Sequence, residues 1–321
     1  MCTPLRRSPK PLLARNVVRF GSQASAAAVV YDSPMPRRRL VAVIALAACT
    51  CLAACSSDTG GKGPSGSAGY VAVGDSFVSG PSLGAPDTDV PGCLRSTANY
   101  AHQLAATMPE LGFRDVSCGG EDTTMLRDGR TLDDGTVLEP QLSSIGRDTT
   151  LVTVGIGAND ASATAGLYQY CLLPATADDA QCDTFSGTYM PTVYPKTSKA
   201  VISVLDEIAD RAPKAQVVLV GYQRIASDTG TGCAALPLTD ARRKAVAGYE
   251  RNMNQALSRA AEKADVPFVD MYEASEGHDV CSGEPWVNGL ENSPTGDGAF
   301  LHPTAAGMAA VTARLEKVVQ R

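Results

Sequence analysis

The 321-residue sequence has few aromatic residues, only three histidines, and no apolar run long enough for an ordinary transmembrane helix. With 5% aromatic residues, the core must be built mostly from Ala, Val, Leu and Ile. The scarcity of His and the lack of any Cys-x-x-Cys spacing argue against a zinc site, so we expect no metal and no cofactor. The chain is 44% hydrophobic and 19% charged, a balance that can bury a sizeable core.

Charge is distributed unevenly along the chain. Residues 1–54 hold eight basic residues and one acidic residue. Of the 28 basic and 34 acidic residues in the whole chain, this leaves 20 basic and 33 acidic residues from Cys55 onward, a net charge of −13. Phosphate attraction supplies most of the affinity of nucleic-acid-binding proteins, so such an acidic body excludes nucleic acid as a partner.

The basic stretch Met35–Arg39 precedes an apolar run, Leu40–Ala54, that ends at Cys55. A run of about 15 residues after a basic start indicates a secretory signal rather than a transmembrane helix. Its last residues, Leu-Ala-Ala-Cys, resemble a bacterial lipobox, which implies lipidation of Cys55. A plain signal peptide cut nearby and an uncleaved anchor are the alternatives.

The pattern divides the chain into four parts. Residues 1–34 fit neither a signal nor a domain, which indicates that Met35 is the true start; a disordered cytoplasmic extension is the alternative. Residues 35–54 are predicted to be a lipoprotein signal peptide. Residues 55–68, rich in Gly and Ser, follow as a flexible tether, and residues 69–321 form one folded domain.

Short apolar runs alternate with amphipathic segments throughout residues 69–321. This alternation predicts a parallel sheet of about five strands with helices on both faces. The segment Ala161–Tyr194 looks long and loop-rich, and we expect an insertion that covers the site. Strands are predicted at Gly69–Gly74, Phe113–Cys118, Leu151–Gly157, Gln216–Gly221 and Val266–Asp270, and helices at Thr97–Leu111, Thr197–Arg211, Thr239–Asp265 and Thr304–Gln320.

Reactive side chains follow three of the predicted strands. Gly74-Asp75-Ser76 ends the first strand, Cys118-Gly119-Gly120 the second, and Gly157-Ala158-Asn159-Asp160 the third; His302-Pro303 precedes the last helix. Ligands of such sheets bind beyond the carboxyl ends of the strands. A hydroxyl, a neighbouring base and fixed N–H donors are the parts that nucleophilic catalysis requires.

These blocks, in this order, resemble the SGNH hydrolase family from about Tyr70 to Ala310. The resemblance implies a flavodoxin-like three-layer α/β/α sandwich and ester hydrolysis through an acyl-enzyme. It implies Ser76 as the nucleophile and His302 as the general base. It also implies an oxyanion hole formed by the Ser76 N–H, the Gly120 N–H and the Asn159 amide.

The chain departs from the usual family pattern at two places. The family block is Asp-x-x-His. In this chain Ala299 stands three residues before His302, and Asp297 stands five residues before it. Either the Ala299 carbonyl, as in certain actinobacterial members, or Asp297 is therefore expected to orient the imidazole. Gly119 stands where relatives often have Ser, and Gly120 is preferred as the donor because it follows Cys118 by two residues.

Six cysteines remain in the predicted domain. An even number in an exported chain indicates disulfides, although six cysteines allow 15 pairings. The resemblance to secreted actinobacterial esterases implies pairing between neighbours: Cys93–Cys118, Cys171–Cys182 and Cys233–Cys281.

The sequence therefore predicts an exported serine esterase or lipase. It would be a monomer, tethered to the outer face of a membrane through Cys55 and acting on a small-molecule or lipid ester. A cell-wall glycan O-deacetylase, an acyltransferase, and a binding protein on a hydrolase scaffold are the alternatives. Trp286, with Val287 and Leu290 nearby, could line an acyl pocket or pack in the core.

Overall fold

A computed structural model describes residues 68–173 and 176–319 of the chain. The predictions for the start at Met35, the signal peptide, the lipidated Cys55 and almost all of the tether lie outside the described residues. Within the described ranges, no helix combines the length and the apolarity that crossing a membrane requires.

The central sheet has five parallel strands in the order β2-β1-β5-β6-β7, and β3 and β4 form a separate antiparallel hairpin. Counted along the chain, the five central strands stand in the order 2-1-3-4-5, which is the flavodoxin-like order. This confirms the predicted sheet. The strands are β1 (Tyr70–Gly74), β2 (Phe113–Asp115), β3 (Arg130–Thr131), β4 (Val137–Leu138), β5 (Leu151–Gly155), β6 (Gln216–Val220) and β7 (Phe268–Val269).

Strands β1 and β5 are buried at every position because helices cover both faces of the sheet. Along β1, Val71 and Val73 belong to one buried cluster, and Tyr70 and Ala72 to another. Alternate residues of a strand point to opposite faces, so the two clusters are the two cores of a three-layer sandwich.

Helices α6 and α7 pack against each other in one outer layer, and α2 packs against α9 in the other. Helix α7 begins where the Thr-Asp pair predicts, because the side chain of Thr239 accepts a hydrogen bond from the Arg242 N–H. The helices are α1 (Ser76–Ser79), α2 (Tyr100–Ala106), α3 (Thr123–Asp128), α4 (Ala163–Leu167), α5 (Asp179–Thr184), α6 (Met190–Arg211), α7 (Asp240–Lys263), α8 (Met271–Ala274) and α9 (Ala305–Val319).

The description of Ala161–Tyr194 as loop-rich was wrong. Its described residues are mostly helical: α4 and α5 are each followed by a π-helical turn, and α6 begins at Met190 rather than Thr197. Pro191 lies in the first turn of α6, where the missing N–H costs nothing. Pro195 is tolerated inside the same helix.

Three disulfides join Cys93 to Cys118, Cys171 to Cys182, and Cys233 to Cys281. These are the pairs that the family resemblance implied. The first one ties the loop after α1 to the loop after β2, and the Gly119 N–H donates to the Cys93 carbonyl at 2.9 Å beside it. The two loops are therefore held together covalently.

The two other disulfides close chain loops of different length, and we expect their removal to differ accordingly. The Cys233–Cys281 separation is 48 residues and the Cys171–Cys182 separation is 11. Replacing both cysteines of a pair by serine should lower the free energy of unfolding by about 4 kcal/mol for the long loop and about 3 kcal/mol for the short one. Urea unfolding of each double variant measures this; a larger loss for the short loop would contradict the loop-entropy account.

Candidate active site

Ser76 is held by a sharp backbone turn at the end of β1. Gly74 has φ of +153°, and a Cβ there would lie 2.3 Å from the Gly155 carbonyl oxygen, so only glycine fits. The Asp75 N–H then donates to the same carbonyl at 3.0 Å. Asp75 caps α1 through its Oδ1, which accepts the Phe77 N–H at 2.9 Å. Ser76 opens the helix, and its N–H makes no hydrogen bond with the described residues.

The loop after β2 offers one free donor. The Gly119 N–H is engaged with Cys93, whereas the Gly120 N–H has no partner among the described residues. Gly120 has φ of +79°, and a Cβ there would meet nothing within 4 Å, so this peptide faces open space. The structure therefore favours Gly120 over Gly119 as an oxyanion donor.

Asn159 lies beyond the end of β5 and is half-buried. Its Nδ2 donates to the Glu121 carbonyl at 2.8 Å, which uses one of its two N–H groups and fixes the amide. The next residue, Asp160, accepts the Thr123 N–H at 2.9 Å and the Thr123 hydroxyl at 3.1 Å. Burial raises the pKa of Asp160 to about 6. These bonds tie the asparagine loop to the loop of Gly120.

Neither predicted residue orients the His302 ring. Its Nδ1 lies 2.8 Å from the carbonyl oxygen of Phe300, two residues earlier. The Ala299 carbonyl instead accepts the His302 main-chain N–H at 3.2 Å. The Asp297 carboxylate accepts the Ala305 N–H at the start of α9, at 2.5 Å. The physical reason is the left-handed Leu301, with φ of +54°, which turns the Phe300 carbonyl toward the ring.

The contact with a carbonyl defines the tautomer of His302. A carbonyl oxygen can only accept, so Nδ1 carries the proton and Nε2 carries the free lone pair. Nε2 is buried and has no hydrogen-bond partner among the described residues. Burial lowers the pKa of His302 below its usual value, partly opposed by the Phe300 hydrogen bond. The imidazole is therefore a neutral base with an unused acceptor.

Aromatic side chains surround this base. The Phe77 ring lies 5.4 Å from the His302 ring, and the Tyr168 and Phe300 rings are 5.8 Å apart. Tyr168 belongs to the helical segment that we expected to cover the site. A cavity of about 30 Å³ beside Phe77 is lined by apolar residues such as Leu167 and Tyr168 and by polar ones such as Glu250.

Trp286 contacts a different part of the molecule. It stacks on His278 with ring centroids 4.0 Å apart, and the Arg314 guanidinium lies 5.4 Å from its ring. It packs against the core cluster that contains α9 residues, and Val287 is fully buried. The contacts favour the packing interpretation over the acyl-pocket one.

Sequence reasoning missed two residues behind the site. Tyr222 donates its hydroxyl proton to Asp75 Oδ2 at 2.6 Å, and the hydroxyl oxygen accepts the Ala158 N–H at 3.0 Å. Arg130 pairs with the buried Glu121 at 2.6 Å and donates to the Gly119 carbonyl at 2.7 Å. Tyr222 lies just beyond the carboxyl end of β6, so the strand-end rule could have found it; Arg130 gives no comparable signal.

Comparisons with known proteins identify the family of the chain. A family model described as "GDSL-like Lipase/Acylhydrolase family" matches residues 72–310. Lipase 1 of Streptomyces coelicolor is 31% identical over 244 residues, covering 76% of this chain and 84% of that protein. A lipase of Streptomyces rimosus is 32% identical over 242 residues, covering 74% and 81%. The crystal structure of phospholipase A1 from Streptomyces albidoflavus NA297 superposes with a TM-score of 0.67 at 30% identity, covering 78% of this chain and 99% of that one.

The Asp297 side chain is expected to matter for stability rather than for the chemistry of His302. Asp297→Ala should keep kcat/KM on p-nitrophenyl acetate within a few-fold of wild type, because the carboxylate binds the Ala305 N–H and not the ring. It should lower the free energy of unfolding by about 1 kcal/mol, as loss of a helix-start acceptor does. His302→Ala serves as the inactive reference. A loss near 10⁴-fold in the Asp297 variant would contradict this expectation and indicate a Ser-His-Asp triad.

Proposed function

The chain belongs to the GDSL-like lipase and acylhydrolase family and is a carboxylic ester hydrolase, and from this premise we propose that it acts through an acyl-enzyme on Ser76. The observation that carries the proposal is the convergence of three strand-end loops. Among the described residues, the N–H groups of Ser76 and Gly120 have no partner, and Asn159 offers an oriented amide. His302 adds a neutral base with a free Nε2.

In the first half-reaction, His302 Nε2 takes the proton of the Ser76 hydroxyl while Oγ attacks the ester carbonyl carbon. The carbonyl π electrons move to oxygen, and a tetrahedral intermediate forms. Its collapse breaks the bond to the alkoxy group, which leaves as the alcohol with the proton from His302. Water then attacks the acyl-enzyme by the same route, releasing the acid and restoring Ser76.

No hydrogen bond joins Ser76 to His302 Nε2 in the described part of the chain. Catalytic contacts of this kind are often long without substrate and shorten in the Michaelis complex. The negative charge on the substrate oxygen is stabilised by the Ser76 N–H, the Gly120 N–H and the Asn159 Nδ2–H. Loss of one such fixed donor costs about 10²–10³ in rate in enzymes of this type.

Lipid esters are the substrate class that we propose. Several of the relatives are lipases, and one is a phospholipase A1. Apolar side chains near the site support a lipid substrate. Leu94, 58% exposed, lies against Gly119, and the Tyr168 ring contacts the Phe300 ring beside His302.

The nucleophile is tested by active-site labelling. Ser76→Ala should abolish labelling by a fluorophosphonate and hydrolysis of p-nitrophenyl acetate, because the only proposed attacking oxygen is removed. Ser143→Ala, at an exposed serine outside the three loops, is the matched control and should label like wild type. Mass spectrometry of the labelled peptide identifies the residue; a label elsewhere, or full activity in Ser76→Ala, would contradict the proposal.

We also propose that the mature enzyme is exported and anchored through lipid on Cys55. Three disulfides support export, because such bonds persist in oxidising compartments. The lipobox-like residues before Cys55 and the Gly/Ser-rich stretch after it support the anchor. Two acyl chains on one cysteine are enough for stable attachment to a membrane.

Cys55 is expected to control where the enzyme is found. Cys55→Ala should move the activity from the membrane fraction to the medium or leave an uncleaved precursor, because no acylation can occur. Cys51→Ala is the control and should stay in the membrane fraction, since Cys51 leaves with the signal. Intact-mass analysis of the mature N-terminus decides the point: an N-terminus other than a lipidated Cys55 in the wild type would contradict the anchor.

A further inference from the structure

We propose that Tyr222 is a positioning residue of this hydrolase: its hydroxyl holds the loop of Ser76 and the loop of Asn159 at a fixed separation, so that the oxyanion hole is assembled before substrate binds. The inference deepens the proposed function and rests on Ser76 and Asn159 having the roles given above. Tyr222 itself touches neither substrate nor the reacting atoms.

The hydroxyl of Tyr222 bridges the two loops directly. It donates to Asp75 Oδ2 at 2.6 Å and accepts from the Ala158 N–H at 3.0 Å. Asp75 immediately precedes Ser76, and Ala158 immediately precedes Asn159. A change in the position of this one oxygen would therefore shift the nucleophile and an oxyanion donor relative to each other.

Tyr222 is itself fixed to the fold by Asn254 of α7. The Asn254 side chain accepts the Tyr222 N–H at 2.8 Å and donates to the Tyr222 carbonyl at 3.1 Å. Its Nδ2 also donates to the Glu250 carbonyl one turn earlier in α7. All three residues are buried. The position of the bridging hydroxyl is thus fixed by a 24-residue helix rather than by a loop.

The ring and the hydroxyl of Tyr222 do different things. The ring meets Phe77 edge-on with centroids 5.1 Å apart, and Phe77 in turn contacts His302. Phenylalanine at position 222 keeps that ring contact and removes only the two hydrogen bonds. Tyr222→Phe therefore separates bridging from packing.

The bridge depends on an ionised Asp75. In that form both carboxylate oxygens accept, one from the Phe77 N–H and one from Tyr222, whereas protonation turns one oxygen into a donor. Burial raises the pKa of Asp75 to about 7, the Tyr222 and Phe77 hydrogen bonds lower it, and the carboxylates of Asp160 and Glu121 raise it.

The other titratable groups around Asp75 are the buried hydroxyls of Tyr100 and Tyr168, whose pKa values lie above their usual range and which stay neutral. His302 lies behind Phe77, and its pKa is lowered by burial. The acid limb of the wild-type kcat/KM profile is thus expected near pH 7 and set by Asp75. Removing the Tyr222 hydroxyl removes the bridge that an ionised Asp75 supports, so Asp75 should no longer set the limb, which should move to lower pH, toward the lowered pKa of His302.

The test compares the full-length Tyr222→Phe enzyme with wild type on p-nitrophenyl acetate. We expect kcat at pH 8.5 to fall at least about tenfold with KM within about twofold, because transition-state contacts are lost and ground-state contacts are kept. We also expect the acid limb to move downward. Tyr194→Phe is the matched control: it deletes a buried tyrosine hydroxyl that bonds to neither of the two described loops, and it should leave both readouts unchanged.

Asp75→Asn changes the other partner of the same hydrogen bond. It provides a second test if Tyr222→Phe folds poorly. It should lower kcat and move the acid limb downward, toward the depressed pKa of His302, because position 75 no longer titrates. In the double variant the losses should be less than multiplicative, since both changes remove one shared contact.

Three results would overturn the inference: wild-type kcat in Tyr222→Phe, a loss of kcat with no shift of the acid limb, or fully multiplicative losses in the double variant. Failure of the proposed function looks different. In that case Ser76→Ala keeps its activity, whereas a failure of the positioning role alone leaves Ser76→Ala inactive and Tyr222→Phe fully active.

Discussion

Gly74 and Gly155 pair at the carboxyl ends of β1 and β5, and neither position has room for a side chain. A Cβ on Gly155 would lie 2.7 Å from Val78 Cγ2, and one on Gly74 would be closer still to its neighbours. The Gln141 side chain secures the pair by bonding both main-chain groups of Gly74. Because the two strands end in register, the loops of Ser76 and Asn159 leave the sheet at one level. Strand pairing, which is rigid, therefore sets the spacing of the proposed nucleophile and the proposed oxyanion donor.

Beyond the ends of the strands, buried carboxylates hold the loops of the site in place. Asp75 lies behind the first loop, Glu121 behind the second and Asp160 behind the third, and each binds donors from another part of the site. Burying a charge is costly unless hydrogen bonds compensate it, and the charges of Asp160 and Glu121 also raise the pKa of Asp75. Their raised pKa values follow from that burial. Carboxylates here hold loops in place instead of serving as the acid of a triad.

The sequence predicts the layered fold correctly because strand and helix periodicities alternate cleanly, and it predicts Ser76, Gly120 and Asn159 as site residues because each follows a strand. It could not identify the group that orients His302. A main-chain carbonyl carries no residue signature, and its direction depends on the left-handed Leu301. Nor could it pair Tyr222 with Asp75 across 147 residues. The helices of 161–194 were missed because they are short and interrupted by π turns, and packing on α7 stabilises them.

In the proposed mechanism, a carbonyl in place of a carboxylate beside His302 changes which charge of the transition state the site must stabilise most. The Phe300 carbonyl fixes the tautomer and direction of His302, as an aspartate would, but it offers a dipole rather than a full charge to the imidazolium that forms in the transition state. Burial disfavours the same imidazolium, since it lowers the His302 pKa. In the proposed mechanism the imidazolium of His302 is therefore poorly stabilised, and stabilisation of the oxyanion must compensate. The bracing of the loops that carry the proposed oxyanion donors agrees with that requirement: Tyr222 bridges the loops of Ser76 and Asn159, and Asp160 binds Thr123 beside the loop of Gly120.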